Sequence, residues 1–281
     1  MMLLEDCNLI NIYSLSREIN ILSRLNHPSI LKYIGYCQND FENQQHPTIL
    51  TEFIKNDTLE NIIKLQNRAL TPPEWNATKI LITIYGIASG MAYLHSKDIL
   101  HRDLKPANIF LDEHLFPKIG DFGLAKEITD NSPLEAEMSI GTPAFMSPEI
   151  FESFIYCKAG DVYAFAMLMY QLITLEQPFA GLASFQVYRS VISGFRPKFV
   201  VDIPIYYKKL IEKCWSQNPD DRYTFDEIVD KLENDEDFIS DEIDTNQFYE
   251  YIKYTKNKKI NKSFDKIIID FDELKKSQLN D

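Results

Sequence analysis

Residues 101–108 read His-Arg-Asp-Leu-Lys-Pro-Ala-Asn, and Asp121-Phe122-Gly123 stands eighteen residues beyond Asp103. Either segment alone arises by chance. The two together, at this spacing, constrain the fold to one that brings an acid and two oxygen ligands to a common point. Asp103 suits a general base that accepts or orients a hydroxyl proton. Lys105 can neutralise charge on a transferred phosphate. The Asn108 carbonyl and the Asp121 carboxylate are hard oxygen ligands of the kind Mg²⁺ takes. Gly123 permits backbone angles after Phe122 that other residues avoid.

The rest of the chain bounds what can surround that point. With 281 residues and 45% hydrophobic content, it can bury a large core as one domain or two lobes. Twenty-nine basic against 42 acidic residues leave a net charge of −13, which argues against nucleic acid or an anionic membrane as a partner. Cys7, Cys37, Cys157 and Cys214 lack zinc or disulfide spacing, so reduced thiols and a cytoplasmic setting are expected. The start, Met1 to Asp6, has no basic region and turns acidic at once, unlike a signal peptide. The apolar run Val162 to Ile173 suits a buried helix better than a membrane span.

Periodicity predicts a helix over 14–26, ended by Asn26-His27-Pro28, then strands over Ile30–Tyr36 and Thr48–Ile54. Helix follows from Leu59, with a strong period from Thr78 to His95. Short strands at Ile109–Leu111 and Pro117–Ile119 flank the turn signal Asp112-Glu113. Beyond Glu149 the pattern is helical to Leu232, broken at Pro178, Pro197 and Pro219. A boundary is expected near 232. Residues 233–281 read as an acidic and then Lys/Asn-rich tail, poorly ordered or opening a further module, although Phe248, Tyr251, Ile252 and Thr255 share one helical face.

The paired motifs resemble those of the eukaryotic protein kinases. The resemblance extends from about Ser16 to Leu232. Gly141-Thr142-Pro143 through Pro148-Glu149 resembles the end of an activation segment, with Ser147 where the family usually has Ala. Asp161 to Phe165 and Cys214-Trp215 through Arg222 resemble later parts of the large lobe. The resemblance implies an α+β bilobal fold: a small lobe over 16–54 holding helix C and two strands, and a mainly helical lobe over 55–232. It implies ATP and Mg²⁺ as cofactors and proteins as substrates.

Residue roles follow from the same resemblance. Glu18 takes the place of the helix C glutamate. Glu149 and Arg222 would form a buried ion pair, and Asp161 would hold the catalytic-loop backbone. Leu22, Tyr33, His101 and Phe122 would stack as a spine. Thr51 would be a small gatekeeper, the backbone of Glu52 and Ile54 would bond adenine, and Phe110 would floor the pocket. Lys105-Pro106 and Thr142 resemble serine/threonine kinases, and Cys214-Trp215 with Tyr163-Ala164-Phe165 resembles the tyrosine-kinase-like group. Arg102 would pair with a phosphate on Thr129, Ser132 or Ser139, with Lys126 as a second cation.

One departure stands out. The family carries a Gly-rich loop and a strand lysine before helix C, yet no Gly precedes Gly35 and no Lys precedes Lys32. A chain incomplete at its N-terminus is the favoured expectation, since Asp103, Asn108 and Asp121 are all retained. A catalytically impaired scaffold and a pure binding module are the alternatives. A small-molecule phosphotransferase fits residues 141–149 less well.

Overall fold

A computed structural model describes residues 15–39, 44, 47–128, 134–135 (backbone only) and 141–257. The first helix, α1, occupies 15–22 and buries Ile21 and Leu22. It gives way to a turn before Asn26, and Arg24 ties it to Glu127 at 2.7 Å. Strand β1 (Tyr33–Cys37) pairs antiparallel with β2 (Thr48–Thr51), with an irregularity between Tyr33 and Gly35. Both strands are shorter than their apolar runs predict. Ile30 bridges instead to Ile119, and the Leu31 N–H donates to Ile119 O at 2.9 Å, so the first residues of the run tie the small lobe to the large lobe's edge.

Helix α2 (Leu59–Gln66) starts at Thr58, whose side chain caps Asn61 N. Helix α3 (Ala77–His95) starts at Asn76, which caps Lys79 N in the same way. Helix α3 is long and apolar enough to cross a bilayer, but most of it is buried inside the protein. Strand β3 (Ile99–Leu100) follows. Strands β4 (Ile109–Leu111) and β5 (Pro117–Ile119) form the predicted hairpin, in which Asp112 Oδ1 accepts from the His114 and Phe116 amides at 2.9 Å each.

Strand β6 (Lys126–Glu127) pairs with β3, and β7 (Leu134–Glu135) pairs with β8 (Ile155–Tyr156). Helix α4 (Pro148–Ser153) precedes α5 (Lys158–Thr174), which is buried on nearly every side, as expected of a helix apolar all round. Helices α6 (Ser184–Ile192), α7 (Ile205–Cys214) and α8 (Phe225–Asn234) complete the large lobe. The described cysteines, Cys37, Cys157 and Cys214, are free.

Beyond the boundary expected near 232, the first part of the tail carries regular structure instead of being poorly ordered. A 3-10 turn at Glu236–Phe238 leads to α9 (Thr245–Lys256), which lays Phe248, Tyr251, Ile252 and Thr255 against α3, all buried. The helical face outweighs the acidic composition because α3 offers it apolar surface, and burial of that kind stabilises by roughly 25 cal/mol per Å². Residues 258–281 lie outside the described residues.

Candidate active site

The loop after β3 is held from below. Asp161, at the start of α5 and 4% exposed, accepts the His101 and Arg102 amides at 3.0 and 2.9 Å. His95 Nε2 lies 2.9 Å from the same carboxylate. Burial pushes the Asp161 pKa up, but His95, His101 and the Arg102 amide together hold it below the usual range. That anchor fixes Arg102 at φ +66°, a left-handed conformation that a residue with a side chain adopts only when its surroundings demand it. His95 is the residue that sequence reasoning missed; its place at the end of the strongly periodic α3 made it look like a core residue.

Above the anchor, the chemistry-bearing side chains converge. Lys105 Nζ donates to Asp103 Oδ2 at 2.6 Å and to Thr142 Oγ1 at 3.2 Å. Asn108 Nδ2 donates to Asp103 O at 2.8 Å and Oδ2 at 2.9 Å. With its nitrogen committed to Asp103, Asn108 keeps its carbonyl oxygen for another partner. Asp103 Oδ2 therefore takes both internal donors, and Oδ1 is the oxygen left for a hydroxyl.

Asp121 sits at φ +56° with its side chain exposed, while Phe122 is buried with its ring 5.2 Å from His101. His101 Nε2 lies 3.0 Å from Gly120 O, fixing this turn against the Asp103 loop. Leu22 and Phe122 share one core, against which Tyr33 packs. Glu18 reaches the same turn: a Cβ placed on Gly123 would meet Asp121 Oδ1 at 3.4 Å and Glu18 Oε2 at 3.7 Å. Burial, and then the Asp121 charge, push the Glu18 pKa up, with Arg17 opposing. Two carboxylates facing one point favour a cation between them. No cluster of three or more His, Cys, Asp or Glu forms a metal cage among the described residues.

A groove of about 630 Å³ lies beside this point, lined by Leu31, residues 48–57 and Phe110. Phe110 lies so close over Gly120 that a Cβ there would sit 2.6 Å from the ring. The Glu52 N–H is spent on Lys32 O at 2.9 Å, and its carbonyl accepts the Thr51 hydroxyl at 3.4 Å. Its side chain accepts the Lys32 amide at 2.8 Å and pairs with Lys118 at 3.3 Å, a cross-link between lobes that the sequence did not suggest.

The activation-segment end is fastened by Arg222, which donates to both Glu149 oxygens at 2.8 Å. Ser147 Oγ adds a third bond to Glu149 at 2.7 Å, a donor that the usual Ala would not supply. Arg102 Nε donates to Leu124 O at 2.6 Å, and its guanidinium lies 4.8 Å from the Tyr156 ring. Thr129, Ser132 and Ser139 lie outside the described residues.

The loop joining α1 to β1 makes a separate prediction. His27 Nδ1 accepts the Ser29 N–H at 3.1 Å and its ring stacks on Tyr93, so the neutral form is built in. Burial, with Lys118 assisting, lowers its pKa from 6.5 to about 4. Between those values the unfolded chain binds a proton that the folded chain refuses. The His27 contribution to stability should therefore fall as pH drops from 6.5 to about 4, by on the order of 3 kcal/mol in all, and that contribution should level off below. Urea unfolding across that window measures the slope, and His27→Gln should remove the His27 part of it.

A small lobe with one helix above a hairpin-bordered cleft, a helical large lobe and this loop geometry define a protein kinase domain. The chain belongs to that family: the protein tyrosine and serine/threonine kinase profile matches residues 2–232. It is 37% identical over 214 residues to a mimivirus protein assigned as a serine/threonine-protein kinase/receptor, covering 75% of this chain and 12% of that one. It is 33% identical to the dual specificity protein kinase pyk3 of Dictyostelium discoideum, over 77% of this chain and 15% of that one. To the serine/threonine-protein kinase STY17 of Arabidopsis thaliana it is 32% identical, over 77% and 36% respectively. The chain thus spans between about an eighth and a third of the length of these relatives. The family generally uses ATP and Mg²⁺ and acts on proteins.

Proposed function

We propose that this domain transfers the γ-phosphate of ATP to a serine or threonine hydroxyl of a protein. The observation that carries this is the Asp103–Lys105–Asn108–Thr142 cluster, with the Asp121 turn tied to the same loop through His101. Bound Mg²⁺ would supply charge neutralisation on the phosphates. Asn108 and Asp121 would hold it, and Phe110 and the Glu52 carbonyl would seat the base. Asp103 Oδ1 takes the proton of the acceptor's hydroxyl as the hydroxyl oxygen bonds to the γ-phosphorus and the phosphorus–oxygen bond to ADP breaks. Lys105 steadies the transferred group while Thr142 orients Lys105, the serine/threonine feature of the site. The free thiols fit a reducing, cytoplasmic setting.

Glu18 faces Asp121 without a lysine from the preceding seventeen residues. In-frame coding sequence upstream of Met1 carrying a Gly-rich loop and a lysine would supply that partner; a stop codon there would favour the scaffold reading. On the chain itself, calorimetry with ATP should show binding that requires Mg²⁺. Asp121→Asn should weaken it at least about tenfold, as loss of a metal contact does. No Mg²⁺-dependent binding by the unsubstituted chain would overturn the proposal for these 281 residues.

A further inference from the structure

We propose that α9 is a brace between the two lobes and that Tyr251 is a positioning residue for Asp121, acting through Ser29 and β5. This rests on the role assigned to Asp121 above. The kinase profile ends at residue 232, and α9 starts at Thr245, so the brace is an addition to the matched domain. Its Tyr251 hydroxyl lies 3.1 Å from Ser29 Oγ, and both residues are buried. Ser29 belongs to the loop that follows α1, the helix carrying Glu18.

From Ser29 the path is backbone. Ser29 O accepts the Ile119 N–H at 2.7 Å, and Ile119 O accepts the Leu31 N–H at 2.9 Å. Ile119 is two residues from Asp121, so the hydroxyl pair sets the strand that delivers the carboxylate. Helix α3 is shaped for the crossing. A Cβ on Gly86 would collide with Tyr251 Oη and Pro117 Cγ, and one on Gly90 would meet Ile119 Cδ1 at 2.7 Å and Ser29 Cβ at 3.3 Å. Two glycines one turn apart thus admit the tyrosine and the Ser29–Ile119 contact side by side. A ring contact of Tyr251 with Phe116 at 4.6 Å, and of Phe248 with Tyr85 at 5.7 Å, holds the helix in place.

A helix that merely adds stability would raise protection everywhere; a brace acts locally. Tyr251→Phe and Ser29→Ala each remove one hydroxyl of the pair and little else. In the full chain, each should speed amide exchange at Leu31 and Ile119 about five- to tenfold, the loss of one buried hydrogen bond. The double variant should exceed neither single by more than about twofold, because both remove the same interaction. Each single should also weaken Mg²⁺-ATP binding severalfold. Unchanged exchange at the two amides, additive effects in the double variant, or unaltered Mg²⁺-ATP affinity would each overturn the brace. Should Tyr251→Phe fail to fold, Ser29→Ala alone decides by the same amides. The exchange arm needs no nucleotide, so a chain that binds none refutes the proposed function separately.

Discussion

Glu149→Ala should lower the free energy of unfolding by about 3–5 kcal/mol, the cost of leaving one member of a buried ion pair alone. The Arg222 side chain is wholly buried, and besides Glu149 it donates to the carbonyls Ala159 O at 2.9 Å, Ser216 O at 2.9 Å and Gln217 O at 3.3 Å, with its guanidinium 5.2 Å from the Tyr163 ring. Those oxygens satisfy N–H groups but carry no full charge. Burial alone would raise the Glu149 pKa, yet the Arg222 hydrogen bonds and charge, with Ser147, hold it below 4.5. The pair's contribution is therefore present above that pH and lost as acid titrates the folded carboxylate. Urea unfolding of the variant at neutral pH gives the number. A loss under about 1 kcal/mol, typical of exposed pairs, would mean the pair is not the fastener described.

Asp103→Asn should lower turnover on a serine/threonine protein substrate by about 10²–10⁴, the range for a positioned general base. The replacement is near isosteric, and Asp103 is only 9% exposed, so the fold should persist. What changes is chemistry. An amide cannot take the hydroxyl proton, and its nitrogen no longer attracts Lys105, now held at 2.6 Å. Nucleotide affinity should change little, because Asp121 and Asn108 remain. Equal turnover by the variant and the unsubstituted chain, with phosphate incorporation measured side by side, would remove Asp103 from the role.

Much of the site was legible because its residues are neighbours in sequence. Asp103, Lys105 and Asn108 lie within six residues, and the turn at Asp112 fixes how far Asp121 stands from them. The strands Ile109–Leu111 and Pro117–Ile119 showed through the turn signal between them. Two-residue strands such as β3 and β6 have no period to detect. The shortening of β1 was equally hidden, since Ile30 looks like a strand residue and only its bridge to Ile119 assigns it elsewhere. Glu52 read as part of a hinge, but its carboxylate cross-links Lys32 and Lys118.

By itself the sequence determined the chemistry and the helices, because both depend on residue type at short, regular spacing. It also carried the unusual stretch before Glu18, where the expected Gly and Lys do not occur. Tertiary structure decided what joins distant parts: His95 to Asp161 across 66 positions and Ser29 to Tyr251 across 222. Such pairings leave no local pattern, since any of these residues would look the same in a core, on a surface or in a tail. They form only when packing brings their helices together, and α9 joined the domain because α3 had apolar surface and two glycines to receive it.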